Sequence, residues 1–209
     1  TAPLELRERF AVRDPVPLLA NLVAGDEIDE AFLLSTCNRV EVLVATRDGE
    51  AARHRLRQLF RREIAGDVTA QSLDADAVFY EHADIDAVRH LFRVCSSLDS
   101  MVIGEPQIAR QMKDAYETAV SCRACGPVLS RLLQSAFAAS QRVRRDTRIG
   151  ERPVSVARVA VDLARQIFEE FADKTALLVG AGEMIETALE ALRGEGLASI
   201  HVANRTPAH

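Results

Sequence analysis

The chain has 209 residues, 48% of them hydrophobic, with a net charge of −5. It is long enough for one large domain or two modest ones and apolar enough to bury a core, which excludes global disorder. The acidic balance argues against a protein that coats nucleic acid without specificity, although a local basic patch is compatible with it.

No apolar run approaches the roughly 18 residues of a membrane-spanning helix, and the N-terminal stretch TAPLELRERF lacks a charged-then-apolar leader pattern. A soluble, cytoplasmic protein is the simplest expectation. The chain starts on Thr1 rather than Met, so the expectation is a piece of a longer product. Four cysteines (Cys37, Cys95, Cys122, Cys125) do not form a disulfide framework, and the lone Cys-Arg-Ala-Cys pair lacks the second pair a zinc site needs. Two ordinary helix-end cysteines are the plainer reading there, and no metal is expected.

In chain order, the pattern predicts a helix near 3–11 with Pro3 in its first turn, and a second near 16–24 stopped by Gly25. Two strands follow near 31–36 and 40–46, with Val40, Val42 and Val44 on one face of the second. Residues 50–65 read as a basic amphipathic helix with Leu56, Leu59, Phe60 and Ile64 as its stripe. Asp84 is a candidate cap for a helix through IDAVRHLFRVCSSL. SMVIGEP reads as a loop, QIARQMKDAYETAV as a helix, and 127–148 as a long helix closing at Ile149-Gly150. Pro153 opens another helix. Then TALLVGAGEMIETALEAL and ASIHVANRT read as strand, glycine turn, helix, strand, which implies a parallel pair. The boundary is expected near 148–152, giving domains 1–149 and 150–209. Two parallel strands alone cannot cover both faces of a sheet, so the second domain reads as incomplete.

Two places carry chemistry. Gly180-Ala181-Gly182 follows a strand and opens a helix, where glycines let the backbone approach a pyrophosphate. Ile185 stands in the third-glycine position of the dinucleotide fingerprint. At the end of the second strand Asn204-Arg205-Thr206 replace the acidic residue of an NAD site. A guanidinium and a hydroxyl suit a 2′-phosphate, which favours NADP. A chance arginine in a frayed tail is the bland alternative.

The other place is Thr36-Cys37-Asn38-Arg39, a polar break between the first two strands. A thiol there is either a nucleophile, activated by a nearby cation such as Arg39, or a small buried hydrophobe. Arg39 serves equally well to hold a substrate carboxylate, and Thr36 and Asn38 add groups able to orient a substrate or an oxyanion. His90 lies at the edge of the apolar arc Ala87, Val88, Leu91, Phe92, Val94, Cys95 and Leu98, either entering a cleft or simply on the surface. Gln107, Gln111, Asp114 and Thr118 form a polar stripe beside the core stripe Ile108, Met112, Ala115 and Ala119.

The segments LLSTCNRVEV, DAVRHLFRVCSSLDSMVIGEPQIARQMKDAY, RIGERPVSVARVAVDLA, LLVGAGEMIETALEAL and VANRT together resemble, in order, the blocks of glutamyl-tRNA reductases. Thr-Cys-Asn-Arg and Leu-Asp-Ser-Met-Val-Ile-Gly-Glu-Pro-Gln-Ile are the most specific of these. The resemblance implies an α/β protein, an α+β catalytic domain followed by the start of a Rossmann-type NADPH-binding domain. It implies reduction of glutamyl-tRNA to glutamate-1-semialdehyde, the first step of the five-carbon route to tetrapyrroles. Cys37 matches the nucleophile that forms a glutamyl thioester, and His90 a proton shuttle. Substrate contacts are implied at Thr36, Asn38, Arg39, Ser100, Glu105, Gln107 and Gln111. Cofactor contacts are implied at Gly180, Ala181, Gly182, Glu183, Met184, Asn204, Arg205 and Thr206.

The same resemblance implies a homodimer of the full-length protein and hand-over to an aminomutase. The chain departs from the family pattern in lacking the strand and Asn-His segment that normally precede TAP. It also carries Arg110, Cys95 and Ser97 where small residues, alanine and glycine are usual. The arginines of 53–62 and 142–152 are candidates for tRNA phosphates. An alternative expectation is a shortened form that binds or hydrolyses glutamyl-tRNA without reducing it.

Overall fold

The structure is a computed structural model that describes residues 10–60, 79–100, 103–105, 107–150, 156–168, 170–180 and 182–204. The helix expected near 3–11 lies almost wholly outside them, as do Ile64, Pro153, Ala181, Arg205 and Thr206. The chain divides into two compact units, Thr1–Asp99 with Pro106–Thr147, and Ser100–Glu105 with Arg148–His209.

The first unit is built on an antiparallel hairpin, β1 (Glu30–Ser35) and β2 (Val40–Ala45), in register from Glu30 opposite Ala45 to Ser35 opposite Val40. Around it lie α1 (Val16–Leu22), α2 (Gly49–Leu59), α3 (Asp84–Cys95), α4 (Gln107–Ser121) and α5 (Pro127–Asp146). Strand β1 packs against α1, α4 and α5, so Ala31, Phe32, Leu33 and Leu34 are all buried, on both faces. An unbroken apolar run is what a strand covered on both sides requires. In β2 every residue is half-buried, so Val40, Val42 and Val44 are joined by Leu43 and Ala45 against the core.

Helix faces follow the expected spacing. Ile108, Met112 and Ala119 of α4 are buried, with Ala115 packed against them. Leu59 of α2 is buried, and Phe60 just beyond it meets the rings of Phe10 and Phe79. Three details differ from the sequence reading. Helix α1 ends at Leu22 with Val23 as its cap, before Gly25. Ala83, not Asp84, is the N-cap of α3, and Asp84 is its first residue with φ of 49°. Helix α3 stops at Cys95, because Ser97 adopts φ of 57°.

That stop is a Schellman motif: Leu98 N–H donates to Arg93 O at 2.9 Å and Ser97 N–H to Val94 O at 3.0 Å. Serine thus occupies a left-handed position that glycine favours. Its buried hydroxyl accepts from the Arg144 guanidinium at 3.0 Å. Arg123 (φ 60°) ends α4 the same way, with Ala124 N–H on Ala119 O at 2.9 Å. Cys122 and Cys125 flank that turn, half-buried, their thiols on Ala119 O and Ser130 Oγ, each at 3.5 Å. Among the described residues no His, Cys, Asp and Glu side chains gather as a metal cluster.

Glu30, 6% exposed, turns its carboxylate onto the start of α5, accepting from Val128 N–H at 2.9 Å and Leu129 N–H at 2.7 Å. The positive end of a helix is a favourable place for a buried carboxylate. Gly126 leaves room for it, since a Cβ there would stand 2.6 Å from Glu30 Oε1.

The second unit contains a 3-10 turn (Arg148–Gly150), α6 (Val156–Ile167), β3 (Thr175–Val179), α7 (Glu183–Arg193) and β4 (Ser199–Ala203). The strands pair in parallel, Thr175 opposite Ser199 through Val179 opposite Ala203. Helix α7 is the crossover, and it packs on α6 and β3. Gly104, φ 86°, belongs to this unit, and a Cβ on it would stand 2.3 Å from Ile149 O. The glycine of the Gly-Glu-Pro motif is therefore required for close backbone approach. No helix among the described residues is long and apolar enough to cross a membrane.

Candidate active site

The loop Thr36–Arg39 is closed by its own first residue. Thr36 N–H donates to Arg39 O at 2.8 Å, and Thr36 Oγ1 accepts from the backbone N–H of both Asn38 and Arg39 at 3.2 Å. A threonine hydroxyl used this way substitutes for the missing ladder bonds and fixes a tight loop. Cys37 stands in it exposed, while Cys95 is buried and the other two are half-buried. The reading of Cys37 as a small buried hydrophobe does not hold.

Arg39 closes the loop with its side chain only 15% exposed. Its Nη1 donates to Glu41 Oε1 at 2.7 Å and lies 3.4 Å from Asp99 Oδ2; its Nη2 donates to the Asp99 carbonyl. Its guanidinium thus holds two of the protein's own carboxylates. Asp99 follows α3, so this pair ties the hairpin to the end of that helix.

His90 enters the same cluster from α3. Its Nε2 lies 3.0 Å from Glu41 Oε2 and its Nδ1 4.0 Å from Asp99 Oδ2. It is half-buried, its side chain 18% exposed, and paired with Glu41 instead of lying open on the surface. Tyr80 donates its hydroxyl to Glu41 Oε1 at 2.5 Å. The rings of Tyr80 and His82 lie 5.3 and 4.8 Å from that of His90. Burial works to raise the Glu41 carboxyl, but hydrogen bonds from His90 and Tyr80 and the Arg39 charge outweigh it, holding the group below its ordinary range. Burial first, and then the Glu41 charge, push the Tyr80 hydroxyl up, so it stays a donor.

Glu41, Tyr80 and Asp99 are residues the sequence reading misses. Glu41 had a signal: it is a charge inside Val-Glu-Val, and the period-two alternation of β2 puts it on the face of Arg39. Tyr80 had none, and Asp99, though inside the Leu-Asp-Ser-Met block, gave no sign of its partner, since the contacts span 39 and 60 residues.

The structure brings Thr36, Asn38, Arg39 and His90 together around Cys37's loop. Gln107 and Gln111 are half-buried on one face of α4. Ser100 and Glu105 belong to the second unit. Burial raises the Glu105 carboxyl above its usual range.

In that unit the glycine turn has Gly180 at φ 120°, its N–H on Ala203 O at 2.8 Å. Ile185, in place of the third glycine, sits 3.4 Å from where a Gly180 Cβ would be and fills the inside of the turn. Gly182 is the N-cap of the 11-residue α7, and a Cβ there would meet nothing within 4 Å. The turn thus offers open space over a helix N-terminus, which fits a pyrophosphate. Glu183 begins the helix, while Met184 and Asn204 are exposed.

The family described as "Glutamyl-tRNAGlu reductase, N-terminal domain" matches residues 1–147, and "Shikimate / quinate 5-dehydrogenase" matches 162–209. The chain is 49% identical to a glutamyl-tRNA reductase of Syntrophotalea carbinolica, over 99% of this chain and 46% of that protein. It is 46% identical to the one of Stenotrophomonas maltophilia, over all of this chain and 47% of that one. The solved glutamyl-tRNA reductase of Methanopyrus kandleri superposes with a TM-score of 0.62 at 34% identity, covering 98% of this chain and 47% of that one. The chain thus spans about half the length of the relatives it matches. With the first of these families matched across the whole hairpin and its helices, the chain belongs to the glutamyl-tRNA reductases.

Proposed function

We propose that the chain provides the glutamyl-tRNA-binding and thiol chemistry of an NADPH-dependent reductase, with residues 1–149 as catalytic domain and 150–209 as the start of the cofactor domain. The observation that carries this is the exposed Cys37 on a threonine-locked loop beside the Arg39–Glu41–His90 cluster.

The Cys37 sulfur attacks the glutamyl carbonyl carbon, and the ester C–O bond to the tRNA ribose breaks. The thiol proton passes to His90, which returns a proton to the departing hydroxyl. Thr36 and Asn38 orient the acyl group. Arg39 meets the side-chain carboxylate of glutamate, sharing its guanidinium with Asp99, whose side chain is 42% exposed. Gln107 and Gln111 add polar groups to the substrate's surroundings, while Ser100 and Glu105, in the second unit, are substrate contacts that the family resemblance alone implies.

Gly180, Ala181, Gly182, Glu183 and Met184 would hold the NADPH pyrophosphate, and Asn204, Arg205 and Thr206 its 2′-phosphate. NADPH bound there would supply the hydride that takes an acyl group to the aldehyde level of glutamate-1-semialdehyde. Homodimer formation and hand-over to an aminomutase belong to the same reading of the whole protein.

For tRNA phosphates, the arginines after α5's middle are better placed than those of α2. Arg53 and Arg57 are paired with Glu81, and Arg55 with Asn21. Arg142 and Arg145 are exposed at the end of α5, the latter beside Asp146.

The test mixes the protein with glutamyl-tRNA, with and without NADPH, and compares Cys37→Ser. Semialdehyde requiring both NADPH and Cys37 is expected of the reductase. Cys37-dependent release of glutamate in place of semialdehyde limits the chain to the thioester half of the reaction. Turnover that survives Cys37→Ser overturns the nucleophile.

A further inference from the structure

Glu41 is a carboxylate set into an apolar strand, its side chain 17% exposed. Taking such a charge out of water is costly, and an apolar residue would fill the strand without that cost. Its two oxygens have separate tasks. Oε1 accepts from Arg39 at 2.7 Å and from Tyr80 at 2.5 Å, and Oε2 faces His90 Nε2 at 3.0 Å.

The geometry points to Glu41 as the positioning residue of the candidate base: it holds the His90 ring with its proton on Nε2, leaving the lone pair on Nδ1 to receive the thiol proton. This rests on the thiol chemistry proposed above. An ionised carboxylate has no proton to give, so a ring nitrogen 3.0 Å from it must be the donor. The two bonds at Oε1 anchor the carboxylate from the other side, so the ring is fixed by a group that is itself fixed. Tyr80 adds a ring contact to His90 besides its hydroxyl bond to Glu41, and His82 packs on the same imidazole. When Nδ1 takes up a proton, the positive ring lies between Glu41 and Asp99, which balance its charge.

Glu41→Gln makes a sharp probe. Arg39 and Tyr80 both donate toward the Oε1 position, so they hold the glutamine carbonyl there and turn its NH2 toward His90. A donor facing Nε2 forces the ring proton onto Nδ1. The experiment is long-range 1H–15N NMR of the histidine-labelled 209-residue chain, with the rings titrated neutral and His90 assigned by its loss in His90→Gln.

The wild type is expected as the Nε2–H form, Glu41→Gln as the Nδ1–H form or a mixture, and Tyr80→Phe as a partial shift. In the deacylation assay Glu41→Gln should lower kcat about 10- to 100-fold. An Nδ1–H ring in the wild type overturns the inference without any variant. So does an unchanged tautomer in a folded Glu41→Gln. Loss of Cys37 dependence in the assay would instead fell the thiol chemistry and leave the tautomer result standing.

Discussion

At the residue scale, the four cysteines separate by what surrounds them. Cys37 is lifted into solvent by a loop that Thr36 holds shut, while Cys95 is fully buried, and burial pushes its thiol up to about 11. Burial likewise raises the Cys125 thiol. Since the thiolate is the reactive form, only about one Cys95 in a thousand would ionise at pH 8 even if reagent reached it. Iodoacetamide at that pH should therefore modify Cys37 first and Cys95 only after unfolding. Peptide mass mapping over time reads the order, and early labelling of Cys95 would contradict the placement of α3. The Thr-Cys-Asn-Arg signal was legible because polar residues interrupted two apolar strands. Of its partners only Glu41 left a mark, as a charge inside Val-Glu-Val, whereas the roles of Tyr80 and Asp99 emerge only where chain segments meet.

At the scale of elements, the hairpin is secured by bonds that no periodicity reveals. Glu30 reaches from β1 to two N–H groups of α5, almost a hundred residues later, and Gly126 exists to admit it. Replacing one acceptor oxygen with an NH2 sets donor against donor in a buried site. Glu30→Gln should thus destabilise the first unit by about 1–3 kcal/mol, measured by urea denaturation. A change below a few tenths would mean the cap is not formed. The apolar stripe of α4 and the strand–turn–helix–strand of the second unit were legible, since each is a local repeat with a period of its own. The end of α3 was not. The apolar arc runs on to Leu98, yet Ser97 takes a left-handed backbone that sequence pattern assigns to glycine, held by Arg144 from α5.

At the scale of the whole molecule, ionisation couples to folding through Cys95. Its thiol is raised from 9.0 to about 11 by burial, so the folded chain keeps a proton that the unfolded chain begins to lose near pH 9. Stability contributed by this group is full below pH 9 and falls as pH rises toward 11. Glu41 acts in the opposite direction: its depressed carboxyl supports the fold at neutral pH, and that support is lost as pH falls through its folded value. Between pH 8 and 10.5 the wild type should lose about 1–2 kcal/mol more than Cys95→Ala. Paired denaturation curves check this, and parallel slopes in the two proteins would refute it.

The sequence by itself determined the family, the two apolar strands with a thiol loop between them, the core faces of the helices, and the parallel pair joined across a glycine turn. These are local patterns, and periodicity and short motifs record them. The tertiary structure alone decided that Arg39 holds two of the protein's own carboxylates and that His90 faces inward. It alone brought Asp99 to Arg39, and Tyr80 and His90 to Glu41, because those contacts join residues 39 to 60 positions apart.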